Sequence, residues 1–229
     1  MSVLERWRME GERHARAGDY RWMASQVPPG RILEVGCGAG FGTQALLEAR
    51  RELLVVEPEE ACRALTTERL AGQGLPAPEI LDTEVGAGMD ADSRQRIADF
   101  APDCIVCWLM GGDDAAVQQM APGASAHQAV QAFREAAHRA VVELAAVIPS
   151  VSTIHLVDRT AFPWKIKDTA RETLVLYHGA TTFKESAFSL RKEDTLYRKL
   201  DGSTWPELSS RTGAGIVPVL GSLVARRRS

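Results

Sequence analysis

Three glycines alternate at Gly36, Gly38 and Gly40. A carboxylate, Glu34, stands two residues ahead of the first, and a second carboxylate, Glu57, closes the next apolar run, ELLVVEP. Residues without Cβ let a turn lie close along a ligand. The acidic side chain at the mouth of that turn then selects the charge of what binds: it repels a phosphate and attracts an ammonium or a sulfonium. No Lys-Ser/Thr pair follows the glycines, which excludes a Walker-type loop. The position that a dinucleotide fingerprint requires to be small is Phe41, which weakens a nicotinamide or flavin reading.

The stretch LEVGCGAG, Leu33 to Gly40, resembles the first motif of the class I S-adenosylmethionine-dependent methyltransferases. The resemblance assigns Glu34, Gly36, Cys37, Gly38 and Gly40 to the methionine half of the cofactor. It makes Glu57, with Pro58 after it, the acidic strand end that binds both ribose hydroxyls. Asp82, with Thr83 as its neighbour, becomes the polar residue at the adenine amino group. In the run CIVCWLMGG it places Cys107 and Trp108 against the cofactor, with Trp108 a wall for the sulfonium through cation–π attraction. The implied reaction is in-line methyl transfer that leaves S-adenosylhomocysteine. Its acceptor pocket is expected between Trp108 and Asp158, beside Met110 and beneath helices that carry Tyr20 and Trp22. No Asn/Asp-Pro-Pro-Tyr/Phe motif follows the fourth strand, which disfavours methylation of base or glutamine nitrogens. No catalytic residue is assigned, because an acceptor of low pKa needs positioning and desolvation more than a dedicated base.

These residues need a scaffold, and the pattern of apolar runs supplies it. Residues 3 to 26 read as one or two helices ended by PPG, followed by a strand at Arg31 to Val35, a helix from about Gly42 and the strand ELLVVEP. Strand, glycine turn, helix and strand make a parallel crossover. The alternation continues with a helix from Glu59, a short strand from Glu79 to Asp82, a surface loop over 83 to 92, a helix from Ser93 and a strand from Cys104 to Leu109. A long helix then leads to VSTIHLVD as the fifth strand. The last two strands, SAFSLRKEDTLYRKL and GIVPVLGSLVARRR, flank a short helix at STWPELSSR. The alternation predicts an α/β fold with an open parallel sheet covered by helices on both faces, and the resemblance implies its full form: a three-layer sandwich with a mostly parallel seven-stranded Rossmann-like sheet, an antiparallel C-terminal hairpin and an N-terminal helical lid. One domain over 1–229 is expected, with the lid at 1–28 and the core at 30–229.

Composition narrows the partners. The chain of 229 residues has a net charge of -3, 45% hydrophobic and 25% charged residues. This balance favours a small-molecule acceptor over nucleic acid. The charged N-terminus is no signal peptide and no apolar run spans a bilayer, so a cytoplasmic protein is expected. Cys104 and Cys107, three apart on a strand, point to opposite faces and read as core, not as a metal site. His14, His127 and His138 read as solvated helix residues, His155 as a satisfied core residue and His178 as a helix C-terminal group. Asp113 and Asp114 fall just past the fourth strand, where they serve equally the ligand cleft or the cap of the next helix, and Arg226 to Arg228 are expected to form a solvated tail. Two other classes stand beside the methyltransferase: a non-catalytic binding or regulatory protein of the same fold, and an NAD(P)-dependent oxidoreductase.

Overall fold

The computed structural model describes residues 2–112, 114–201 and 215–228. Two helices, α1 (Val3–Arg16) and α2 (Asp19–Ala24), precede β1 (Arg31–Val35), α3 (Phe41–Glu48), β2 (Glu52–Val56), α4 (Glu60–Gly72) and β3 (Glu79–Leu81). There follow α5 (Ala91–Phe100), β4 (Cys104–Trp108), α6 (Asp114–Met120), α7 (Ala126–Val147), β5 (Thr153–Pro163), α8 (Lys167–Ala180), β6 (Phe188–Lys199) and β7 (Ile216–Arg227). Sequence chemistry sets several boundaries. Ser2 and Glu5 form a reciprocal capping box on α1, Ser125 and Gln128 do the same for α7, and Asp90 caps α5.

β1, β2 and β4 are buried over nearly their whole lengths because helices cover both their faces. The sheet order is β3-β2-β1-β4-β5-β7-β6, parallel from β3 to β5 and antiparallel at β7 and β6. β1 sits between β2 and β4, so the chain changes direction across the sheet at that point. A cleft opens beyond the carboxyl ends of the strands there.

The pleat divides the core. Ile32, Val106, Trp108 and Val157 pack with Met23, Ala24 and Leu46 from α2 and α3. Leu33, Val35, Ile105, Cys107, Ile154 and Leu156 face Ile97 of α5 and Val141 and Ala145 of α7. Cys104 and Cys107 fall on opposite sides, as strand alternation requires.

Several expectations need correction. β5 runs on to Pro163 because β7 pairs with it residue for residue, Thr153 opposite Arg226 through Pro163 opposite Ile216. Asp158 is therefore within the strand, not at its end. α8 is a full helix, and His178 lies inside it near its C-terminus. His14 and His138 are buried, not solvated. Arg227 is not a free tail: its guanidinium donates to the carbonyls of Ala145, Ile148 and Val151, and Arg226 pairs with Asp194. The surface loop at 83–92 contains the buried Met89 and ends at Ala91, where α5 begins. The helix expected at STWPELSSR lies outside the described residues, as does Asp113. No helix among the described residues is long and apolar enough to cross a membrane.

Candidate functional site

After β1 the chain passes through Gly36, Gly38 and Gly40 with φ of 79°, 52° and 79°, a region that residues with side chains rarely adopt. The Gly36 amide donates to the Val56 carbonyl at 2.9 Å, which ties the loop to the end of β2. The glycines differ in what surrounds them. A Cβ on Gly40 would lie 2.8 Å from the Thr66 Cα, and one on Gly36 would lie 3.0 Å from the Met110 Cε. A Cβ on Gly38 would meet nothing within 4 Å and would project into open space. Two glycines thus admit close packing, and the third leaves room.

Glu34 is 4% exposed and its Oε2 has no hydrogen-bond partner among the described residues. Burial pushes its carboxyl up to about 8, against the lowering effect of the Thr43 hydroxyl and with the charge of Glu57 added. An orphaned carboxylate oxygen in a low-dielectric site is costly unless a donor or cation meets it. Glu57 is better satisfied. Its Oε2 accepts from the Gly38 amide at 3.0 Å and its Oε1 from the Glu59 amide at 3.1 Å, so it holds the glycine loop. Burial raises its pKa, while those two amides act in the other direction.

These groups line two adjoining cavities of about 110 and 230 Å³. Each is far larger than the roughly 10–15 Å³ that holds one water. Glu34, Gly38, Cys37, Glu57, Trp108 and Tyr20 line the first, together with Trp7, Glu10, His14 and Arg159. Pro58, Glu59, Glu84, Val85 and Phe133 line the second. Trp7, Gly36, Met110 and Gly111 border both, with Met110 standing over Gly36 at the junction.

Five expected site residues lie elsewhere, apart from Gly40, which caps α3 and packs on Thr66. Asp82 is clasped by Arg63 at 2.7 and 2.8 Å, and Thr83 is buried away from both cavities; the residues after β3 that face the second cavity are Glu84 and Val85. Cys107 points into the opposite core layer. Trp22 packs at the edge of the α2–α3 layer, with the Arg198 guanidinium 5.9 Å from its ring. Asp158 faces α7, 3.5 Å from His138 and 3.7 Å from Arg134. The acceptor pocket expected between Trp108 and Asp158 is thus not formed, because Trp108 pairs with Val157 and the next residue points to the other face.

Parity also identifies a residue missed from the sequence. Arg159, two positions after Val157, shares the face of Trp108 and enters the first cavity, where it pairs with Glu10 at 3.0 Å. The contributions of α1 were missed as well, since a charged helix gives no sign of which face it buries. Gly11 allows its approach: a Cβ there would lie 2.4 Å from the Phe41 ring. His14 bonds through Nδ1 to Asp19 at 2.8 Å, and Asp19 also accepts from Arg198 at 2.6 Å, which fastens α1 and α2 to β6. Tyr20 stacks on Phe41, and burial followed by the charge of Glu34 raises its pKa, so its hydroxyl stays protonated.

Trp108 is fixed by a relay in the core. Its Nε1 donates to His155 Nδ1 at 3.1 Å, and His155 Nε2 lies 2.8 Å from Ser222 Oγ, which donates to Gln26 at 2.8 Å. Burial drops the His155 pKa to about 3, so the imidazole is neutral and donates to Ser222. Among the described residues no group of His, Cys, Asp and Glu side chains is placed to hold a metal ion.

No protein-family model and no curated protein matches the sequence. Solved structures do match by shape. PH1948 of Pyrococcus horikoshii, a candidate RNA methyltransferase, aligns at a TM-score of 0.52 and 12% identity over 93% of this chain and 84% of its own. TrmN from Thermus thermophilus aligns at 0.50 and 13% over 93% of this chain, which spans only 48% of TrmN. Magnesium protoporphyrin IX methyltransferase from Synechocystis PCC 6803 with bound SAM scores 0.47 at 13% identity, over 100% of this chain and 85% of that one. The fold is that of the class I S-adenosylmethionine-dependent methyltransferases. At these identities the likeness concerns architecture alone.

Proposed function

We propose that the protein is an S-adenosylmethionine-dependent methyltransferase acting on a small-molecule acceptor. The observation that carries this reading is the pairing of an orphaned, buried Glu34 oxygen with the open space over Gly38 in one cleft. A dinucleotide pyrophosphate would meet Glu57 and a Glu34 with no charge to offer it, and the Arg159 guanidinium of that cavity is already paired with Glu10. A cofactor with an ammonium and a sulfonium removes that conflict. The residues fit it: Glu34 would take the ammonium, Gly38 the close approach of the chain and Glu57 the ribose hydroxyls. The second cavity, with Pro58, Val85 and Phe133, would take the adenine.

When bound, the cofactor supplies a methyl group already activated for transfer. What the chain adds is placement. Trp108, locked by His155, gives a rigid wall at the end of β4. α1 and α2, tied down by Asp19 and Arg198, line the reacting end with Trp7, His14 and Tyr20 and would shield a bound acceptor from water. A partly covered, aromatic-lined site on a chain of net charge -3 suits a compact metabolite better than a polyanion.

The test is transfer of a tritiated methyl from S-adenosylmethionine into fractionated small metabolites, run beside RNA and total protein. Label in the metabolite fractions is expected. Label confined to RNA or protein would remove the small-molecule reading, and label in no fraction despite cofactor binding would favour a non-catalytic role.

A further inference from the structure

The charges along the two cavities are unbalanced. Glu10, Glu34, Glu57, Glu59 and Glu84 line them, and among the described residues Arg159 is the one Lys or Arg side chain that does. S-adenosylmethionine carries a carboxylate at its methionine end, and the first cavity is the one that holds Glu34 and the glycine loop. A carboxylate entering a partly desolvated space beside three Glu side chains is repelled unless a cation receives it. Arg159 is placed to do so. It projects from β5 on the face of Trp108, it is 27% exposed, and its guanidinium reaches across to Glu10 of α1, at 3.0 Å.

Resting on the methyltransferase reading, we infer that Arg159 anchors the cofactor's carboxylate, in competition with Glu10 of the covering helix. No motif marks this residue; it follows from the register of β5 and from the charge inventory of the cleft. The competition has a structural consequence. Glu10–Arg159 is a link between α1 and the sheet at the cleft itself, separate from the Asp19–Arg198 link at the start of α2. A ligand carboxylate that takes over Arg159 weakens the first link and leaves the second intact. Cofactor binding and the seating of α1 are thereby coupled: the carboxylate that enters frees the covering helix to adjust at its N-terminal half, where Trp7 and Glu10 lie. A guanidinium suits this exchange, because its fork of donors can serve two carboxylates during the hand-over.

The test uses calorimetry with S-adenosylhomocysteine and with the same compound lacking its carboxylate, on the wild type, Arg159→Leu and Glu10→Gln. The wild type should prefer the carboxylate-bearing ligand by about tenfold or more, the scale of a charge-assisted pair. Arg159→Leu should bind both ligands equally, at about the affinity of the wild type for the decarboxylated one. Glu10→Gln, which removes the competitor and keeps the shape, should tighten S-adenosylhomocysteine several-fold without changing the decarboxylated ligand. Thermal unfolding checks that each variant is folded. Equal binding of the two ligands by the wild type, or a preference that survives in Arg159→Leu, overturns the assignment while leaving the methyltransferase reading in place. Failure of the wild type to bind S-adenosylhomocysteine at all would instead overturn the methyltransferase reading, and this inference with it.

Discussion

On the proposed function, Glu34 makes cofactor binding a proton-linked event. Burial holds its carboxyl at about 8, against an ordinary value of 4.5. The folded protein therefore favours the protonated side chain. This contribution to stability is complete below about pH 4.5 and is lost as the pH rises to about 8. At pH 7 the loss amounts to at most about 3 kcal/mol, taking 1.36 kcal/mol per unit for the gap between the two titrations. Glu34→Gln should accordingly melt higher than wild type at pH 7 in the absence of ligand, and the two proteins should converge near pH 4.5. An ammonium docking on Glu34 requires the carboxylate form. At pH 7, with roughly nine-tenths of Glu34 protonated, binding should release about 0.9 proton, and affinity should rise nearly tenfold per pH unit between pH 6 and 7. Calorimetry of S-adenosylhomocysteine in phosphate and in Tris, whose ionisation enthalpies differ widely, measures that proton directly. A binding enthalpy independent of buffer in the wild type, or the same proton release in Glu34→Gln, would refute the role given to Glu34.

Three further outcomes follow from the geometry. Glu57→Ala should weaken cofactor binding by roughly 1.5–3 kcal/mol; it should also lower the melting temperature without ligand, since the Gly38 and Glu59 amides lose their acceptor. Gly38→Val should fold with a penalty of about 1–2 kcal/mol from its left-handed backbone and should lose S-adenosylhomocysteine binding in calorimetry, because nothing but the ligand's space surrounds it. Gly11→Leu should push α1 away from Phe41, 2.4 Å from where the new Cβ would stand, and reduce methyl transfer far more than S-adenosylhomocysteine affinity; a turnover equal to wild type would show that α1 does not cover the acceptor.

What the sequence revealed and what it concealed divide along the range of the interactions involved. β1, the glycine turn and β2 could be read directly because apolar runs, positive-φ glycines and strand-end carboxylates are local signals. Glu34, Gly36, Gly38, Glu57, Trp108 and Met110 come together at the cleft because each lies at or just past the end of a parallel strand. Asp158 was misplaced because the length of β5 depends on β7, more than fifty residues later in the chain. Asp82 was misassigned because the sequence does not show that Arg63, on α4, would occupy it. The buried state of His14 depends on Asp19 and on Arg198 of β6, a partnership that no pattern within α1 reveals.

The most direct test of the account is thermal unfolding of the protein with S-adenosylmethionine, S-adenosylhomocysteine, NAD and NADP, each at a matched concentration. At about one hundred times its dissociation constant a ligand adds roughly 2.7 kcal/mol, which for a chain of this size is a rise of about 5–10 °C. The two S-adenosyl compounds should produce it, and the nicotinamide compounds should leave the transition where it was. A rise with NAD or NADP and none with S-adenosylmethionine would contradict the cofactor assignment on which the proposed function rests.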